Sequence, residues 1–132
     1  MGATKAATAL NKLIQAATAR KVVLGGKRLT DAPGNDQARP YFRLKYQLMD
    51  EPTNIPSRRR GLVTVYCFGE TEVQAWFEAS KLTDALGLKH GNTMPRPAPG
   101  LADYALASGW EALPDPSEGG LVACAIEFHY YL

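Results

Sequence analysis

Apolar and polar positions alternate most regularly over the last thirteen residues. From Gly120 to Leu132, Val122, Cys124, Ile126, Phe128 and Tyr130 fall on one side, and Leu121, Ala123, Ala125, Glu127, His129 and Tyr131 on the other. A period of two is that of a β-strand. An uninterrupted strand here predicts an end tied into a sheet or a partner, since a free tail is normally polar. Phe42, Leu44, Tyr46 and Leu48 alternate with Arg43, Lys45 and Gln47, which predicts a half-buried strand with a basic outer side, entered through Pro40. Leu62 to Phe68 is mostly apolar on both parities, the pattern of a central strand covered on two sides. Residues 101–112 fit either a short helix or a strand. Alternation of Ala102, Tyr104, Leu106, Ser108 and Trp110 favours the strand, with 113–120 as the turn into the last one.

Two segments have helical spacing instead. Over residues 4–19, with Thr4 as the expected cap, Ala6, Leu10, Leu13, Ile14 and Ala17 share a stripe, leaving Lys5, Asn11, Lys12 and Gln15 for water. A second helix is bounded by a capping box at Thr71–Gln74 and by Gly87 at its end. Val73, Trp76 and Phe77 trace one side of it, with Ala75, Ala79, Leu82 and Leu86 widening the stripe, so Trp76 and Phe77 are expected as core anchors. Val22 to Leu24 is a short extended piece, and 30–36 has loop chemistry throughout. Residues 50–61 form a long connection, making its flanking strands a hairpin with an extended tip. The stretch 87–100, with Pro95, Pro97 and Pro99, is a stiffened loop. The expected fold is α+β, with two helices packed on one face of a mainly antiparallel four-stranded sheet in a single domain, 1–132.

Composition adds little until it is divided along the chain. The 132 residues are 45% hydrophobic, ordinary for a folded domain able to bury a core. Net charge is only +2, but residues 1–60 hold twelve Lys or Arg against four acids while residues 61–132 hold three against nine. That split gives either two unlike surfaces or, if folding interleaves the halves, internal pairing. Cys67 and Cys124 fall in strands and are expected as buried thiols, although counting alone leaves a disulfide open. No apolar run follows the first residues as in a signal peptide, and no window has the length of a membrane helix.

Candidate chemistry is sparse. Gly25-Gly26-Lys27-Arg28 lacks the spacing of a phosphate loop. His90 and His129 are far apart in sequence, and His129 with Glu127 is expected as a polar pair facing solvent rather than a metal or proton-transfer site. No catalytic set, cofactor site or metal site is expected. The polar feature that draws most attention is Arg58-Arg59-Arg60. Three adjacent guanidinium groups repel unless solvated or met by anions, so a solvated loop, a contact with another subunit and a nucleic-acid contact are all open. Tyr130 and Tyr131 add a rim contact.

Taken together, the N-terminal helix, the strand opening Pro40-Tyr-Phe-Arg-Leu-Lys, and Arg60-Gly61 leading into Leu-Val-Thr-Val resemble the tail terminators of tailed bacteriophages. Gly69 before an amphipathic helix, Ala107-Ser-Gly-Trp110 and a Tyr-rich last strand extend the resemblance over most of the chain. The resemblance implies a homohexameric ring that caps the tail tube and joins it to the head, without cofactor or reaction. Its partners would be a tail-tube protein and a head connector protein, with no membrane, and nucleic acid at most passing through the lumen. It would reside in the virion, and in host cytoplasm during assembly. On that reading Arg58, Arg59 and Arg60 serve docking and Tyr130 and Tyr131 packing, placements the resemblance itself does not fix. A head-completion connector ring, a small nucleic-acid-binding module and a small hydrolase or nuclease using His90 or His129 are the competing readings.

Overall fold

The elements, in chain order, are α1 (Gly2–Ala17), β1 (Lys21–Leu24), β2 (Thr30–Ala32), β3 (Asn35–Asp36), β4 (Tyr41–Pro52), β5 (Arg58–Gly69), α2 (Glu72–Leu86), β6 (Asp103–Ala112) and β7 (Gly120–Tyr131). They come from a computed structural model that describes residues 2–24, 30–32, 35–36, 38–88, 99–115 and 119–132. Five strands form one sheet in the order β1-β4-β5-β7-β6, and β2 and β3 pair as a separate ribbon. The β4–β5, β5–β7 and β6–β7 pairings are antiparallel, while β1 runs parallel to β4. The α+β class is as expected, but the four-stranded sheet is corrected to a five-stranded mixed one. Val22-Val23-Leu24 is too short for periodicity to declare it a sheet strand, yet it aligns with Phe42-Arg43-Leu44. The stretch 30–36, expected as loop, holds the ribbon.

Register decides which side chains meet. Phe42, Leu44 and Tyr46 lie opposite Cys67, Val65 and Val63, which in turn lie opposite Val122, Cys124 and Ile126. This is the face the helices cover. α1 buries Ala6, Ala9, Leu10 and Ile14 there, and α2 buries Ala75, Ala79, Leu82 and Leu86. Each fully buried Leu, Ile, Val or Phe contributes about 1.5–3 kcal/mol, so this layer is the main source of cohesion. Gly61 is required beneath Phe128, because a Cβ there would sit 2.3 Å from the ring. Tyr46 meets Phe128 edge-on at 5.9 Å and donates its hydroxyl hydrogen toward Asn11 Oδ1 (2.6 Å) and Ala7 O (3.1 Å), fastening β4 to α1. Asn11, expected to face water, is thus half-buried. Burial pushes the Tyr46 phenol well above its ordinary pKa.

The termini of α2 follow their sequence signals. The Thr71 side chain accepts from Gln74 N at 3.1 Å, and Gly87 closes the helix at φ 64°. Thr4, by contrast, lies inside α1, which begins at Gly2. The assigned inner face of α2 needs correction. Trp76 is 37% exposed, Phe77 61% and Val73 79%, so these are not core anchors. The inward stripe is the expected Ala75, Ala79, Leu82 and Leu86, joined by Glu78. Glu78 is 3% exposed and bonds Arg20 at 3.0 and 3.3 Å. The hydrogen bond to that guanidinium holds its carboxyl below the usual range, overcoming the opposing effect of burial.

Strand β4 is irregular near its end, with register shifts between Tyr46 and Leu48 and between Leu48 and Glu51. Asp50 adopts φ 58°, a left-handed conformation that Asp tolerates better than most residues. It is pinned by Tyr130, whose hydroxyl donates to Asp50 Oδ1 at 2.8 Å and accepts from Asp50 N at 2.7 Å. Strand β6 shifts register twice against β7, between Leu106 and Ser108 and between Ser108 and Glu111. β7 itself pairs along its length between β5 and β6, so the last strand is tied into the sheet as its pattern requires.

Candidate functional site on the helix-free face

Among the described residues the opposite face of the sheet carries no helix, and strand parity sorts its residues into two regions. At one end are Arg58 and Arg60. They sit on β5 itself rather than on a loop, because β4 and β5 extend to Pro52 and Arg58 and leave only 53–57 between them. The long connection expected over 50–61 is therefore corrected. A strand's alternation also splits the three arginines: Arg58 lies opposite Tyr131, Arg60 opposite His129, and Arg59 opposite Tyr130 on the other side.

Two of the three guanidinium groups meet acids of the same chain. Arg58 pairs with Asp103, its guanidinium carbon 6.0 Å from the centre of the Tyr131 ring. Asp103 also bonds His129 Nδ1, and His129 Nε2 lies 3.1 Å from Glu127. Glu127 is 2.7 Å from Arg60, which is 2.7 Å from Glu51. The result is a continuous chain, Arg58–Asp103–His129–Glu127–Arg60–Glu51, crossing β4, β5, β7 and β6. Each His129 ring nitrogen faces a carboxylate oxygen, Nδ1 that of Asp103 and Nε2 that of Glu127. Each carboxylate already has a cationic partner. The chain is built to brace four strands, and cooperative networks of this kind fix register. Sequence reasoning found the His129–Glu127 pair but missed Asp103 and Glu51, because their partners lie far away along the chain. Arg59 donates to Pro56 O and Arg58 O, which keeps it local.

Tyr130 has no exposed surface and is committed to Asp50, so its expected rim contact does not fit this fold. Tyr131 is 59% exposed and remains available. The polarised sequence halves also resolve as internal pairing. Arg20–Glu78, Arg39–Asp115, Arg58–Asp103 and Arg60–Glu127 each join a cation of residues 1–60 to an acid of residues 61–132.

The other region of this face lies on β1, β4 and the adjoining part of β5. Lys21 aligns with Tyr41, Arg43 with Tyr66, and Lys45 with Thr64. Lys21 and Lys45 are exposed. None of Lys21, Arg43 and Lys45 has an ion pair among the described residues. The Arg43 guanidinium lies over Tyr66 at 5.8 Å, and its Nε has no hydrogen-bond partner. Beyond it Phe68 takes Tyr41 on a stacked ring at 4.7 Å and the Arg39 guanidinium at 5.2 Å. Arg39 in turn bonds Asp115 and Gly69 O, closing that end of the face.

Cys67 and Cys124 are free, buried thiols, pushed up to about 12 mainly by burial, which makes them poor nucleophiles. Among the described residues no group of three or more His, Cys, Asp or Glu has metal-binding geometry. No helix among the described residues is long and apolar enough to cross a membrane. A groove of about 450 Å³ runs along α1, lined by Thr8, Ala9, Leu13, Ala16 and Pro99 with Lys5 and Lys12. Its lining offers no acid–base pair. His90, Gly25 to Arg28 and most of the 87–100 loop lie outside the described residues. No family model matches the chain, and no curated protein matches it at a significant level.

Proposed function

We propose that the protein is the subunit of a closed homo-oligomeric ring of the tail-terminator kind, one that caps a phage tail tube and joins it to the head. The supporting observation is the placement of its exposed apolar side chains. Val73, Trp76 and Phe77 project from the first turns of α2, which rest on Gly120, where a Cβ would meet Thr71 O at 2.2 Å. Ile55, Tyr131 and Leu132 gather at the other end of β7, where Leu132 N bonds Ser57 O. Eleven residue steps of extended chain separate the ends, roughly 35 Å. Two unlike apolar patches at opposite ends suit head-to-tail contacts between copies, the kind that close into rings. A hexamer in the virion, contacting a tail-tube protein on one side and a head connector protein on the other, is the form this takes. Of the expected docking set Tyr131 is the exposed member, and Arg59 is the arginine with no carboxylate partner among the described residues. A head-completion connector ring is the nearest alternative and would use the same contacts.

Light scattering together with electron microscopy tests the ring. The wild-type chain is expected as rings with a central hole. Val73→Ser with Phe77→Ser is expected to disperse them while moving the melting temperature by no more than about 2–4 °C, since both side chains are already exposed. A wild-type protein that stays monomeric at high concentration, even with tail tubes present, would overturn the reading.

A further inference from the structure

From the unpaired half of the helix-free face, we infer that Lys21, Arg43 and Lys45 form a binding site for the phosphate backbone of duplex DNA. The argument begins with the contrast in charge compensation. Elsewhere on the sheet Arg39, Arg58 and Arg60 each have a carboxylate partner, whereas these three cations have none among the described residues. They are also contiguous. Arg43 and Lys45 are two residues apart on one side of β4, and Lys21 stands on the adjacent β1 opposite Tyr41. The two-residue repeat of a strand is roughly 6.6 Å, comparable to the step between successive phosphates along a nucleic-acid strand.

The aromatic side chains indicate duplex rather than single strand. Single-stranded DNA is held largely by bases stacking on free aromatic rings. Here Phe68 already takes Tyr41 and Arg39, and Tyr66 lies under Arg43. These rings orient guanidinium groups instead of receiving bases. The Tyr66 ring, 5.8 Å from the Arg43 guanidinium carbon, gives that cation a neighbour that does not neutralise its charge, leaving it free to pair with phosphate oxygens. Thr64, lying opposite Lys45, is a further hydroxyl donor on the same surface. Among the described residues this surface is formed by strands alone, so the contact is to the backbone and independent of sequence. The site does not require the ring. In a ring with this face turned inward, it would line the passage for DNA.

Fluorescence anisotropy with a labelled duplex of about 20 base pairs, from about 50 to about 200 mM salt, provides the test. The wild-type chain is expected to bind with affinity that falls steeply with salt and does not change with sequence. Arg43→Ala with Lys45→Ala is expected to weaken binding about tenfold and lower the slope of log affinity against log salt by about 2. Lys12→Ala, on the exposed side of α1, should stay within about twofold of wild type. Lys45→Glu alone, at an exposed position with melting followed in parallel, reads the same effect if the double variant folds poorly. Unchanged binding in Lys45→Glu, or no salt-dependent binding by the wild type, overturns the inference. So does competition by polyglutamate as effective as by DNA, which would assign the surface to an acidic protein.

Discussion

The two halves of the helix-free face hold similar numbers of cations and treat them oppositely. Around Arg58 and Arg60, the carboxylates of Glu51, Asp103 and Glu127 absorb the positive charge, and His129 links two of them into a brace spanning four strands. Around Arg43, no carboxylate of the described chain takes part, and an aromatic ring supports the guanidinium instead. The lesson is that density of arginine in sequence is a poor guide to free charge on a surface. Consecutive arginines on a strand alternate sides and meet whatever the neighbouring strands supply. Spaced cations on one side of an edge-proximal strand find fewer partners.

The largest expected effect falls on the braced half. Asp103→Ala leaves Arg58 and one nitrogen of His129 without their anion, in a site where the Asp103 side chain is 14% exposed. A loss of about 3 kcal/mol in urea unfolding is expected, with DNA binding unchanged. A loss below about 0.5 kcal/mol would dissolve the distinction between the halves. Next comes the layer beneath them. The folded chain holds both thiols above their ordinary value of 9.0, so the unfolded chain releases those protons first. Stability should be intact below that value and fall as pH rises past it, by about 1.4 kcal/mol per pH unit for each thiol. Cys67→Val should remove its share of that slope in melts followed across alkaline pH. Tyr130→Phe deletes the hydroxyl that both donates to and accepts from Asp50, and should cost about 1–2 kcal/mol at the margin of the brace. Smallest is Arg43→Ala, which loses only a partly exposed contact with Tyr66 and should cost less than about 1 kcal/mol. That mutation would then separate function from stability, the reverse of Asp103→Ala.

Local patterns were readable where one period fixed one answer. The parity of Val122, Cys124, Ile126, Phe128 and Tyr130 matches five buried side chains, and Thr71 and Gly87 bound α2 as expected. On α2 the expected Ala75, Ala79, Leu82 and Leu86 are buried, while Val73, Trp76 and Phe77 are not; Glu78 joins the inward stripe through Arg20, 58 positions away, a partner that periodicity does not reveal. Arg58 and Arg60 were expected on a connection, and neither their place on β5 nor their partners were visible: Asp103 becomes a neighbour only once β7 lies between β5 and β6. Lys21 joins Arg43 through a parallel pairing that no hairpin signal announces. The basic outer side of β4, by contrast, was plain in its alternation. Its significance came from the lack of acid partners among the described residues, which is a tertiary property.

The double break in β6 has a consequence for colloidal behaviour. β6 is an outer strand, and such strands invite foreign chains to add on, the first step toward amyloid. Its two register shifts bend the ladder so that a straight intruder cannot stay in phase over more than a few residues. An edge broken in this way resists fibril growth at high protein concentration.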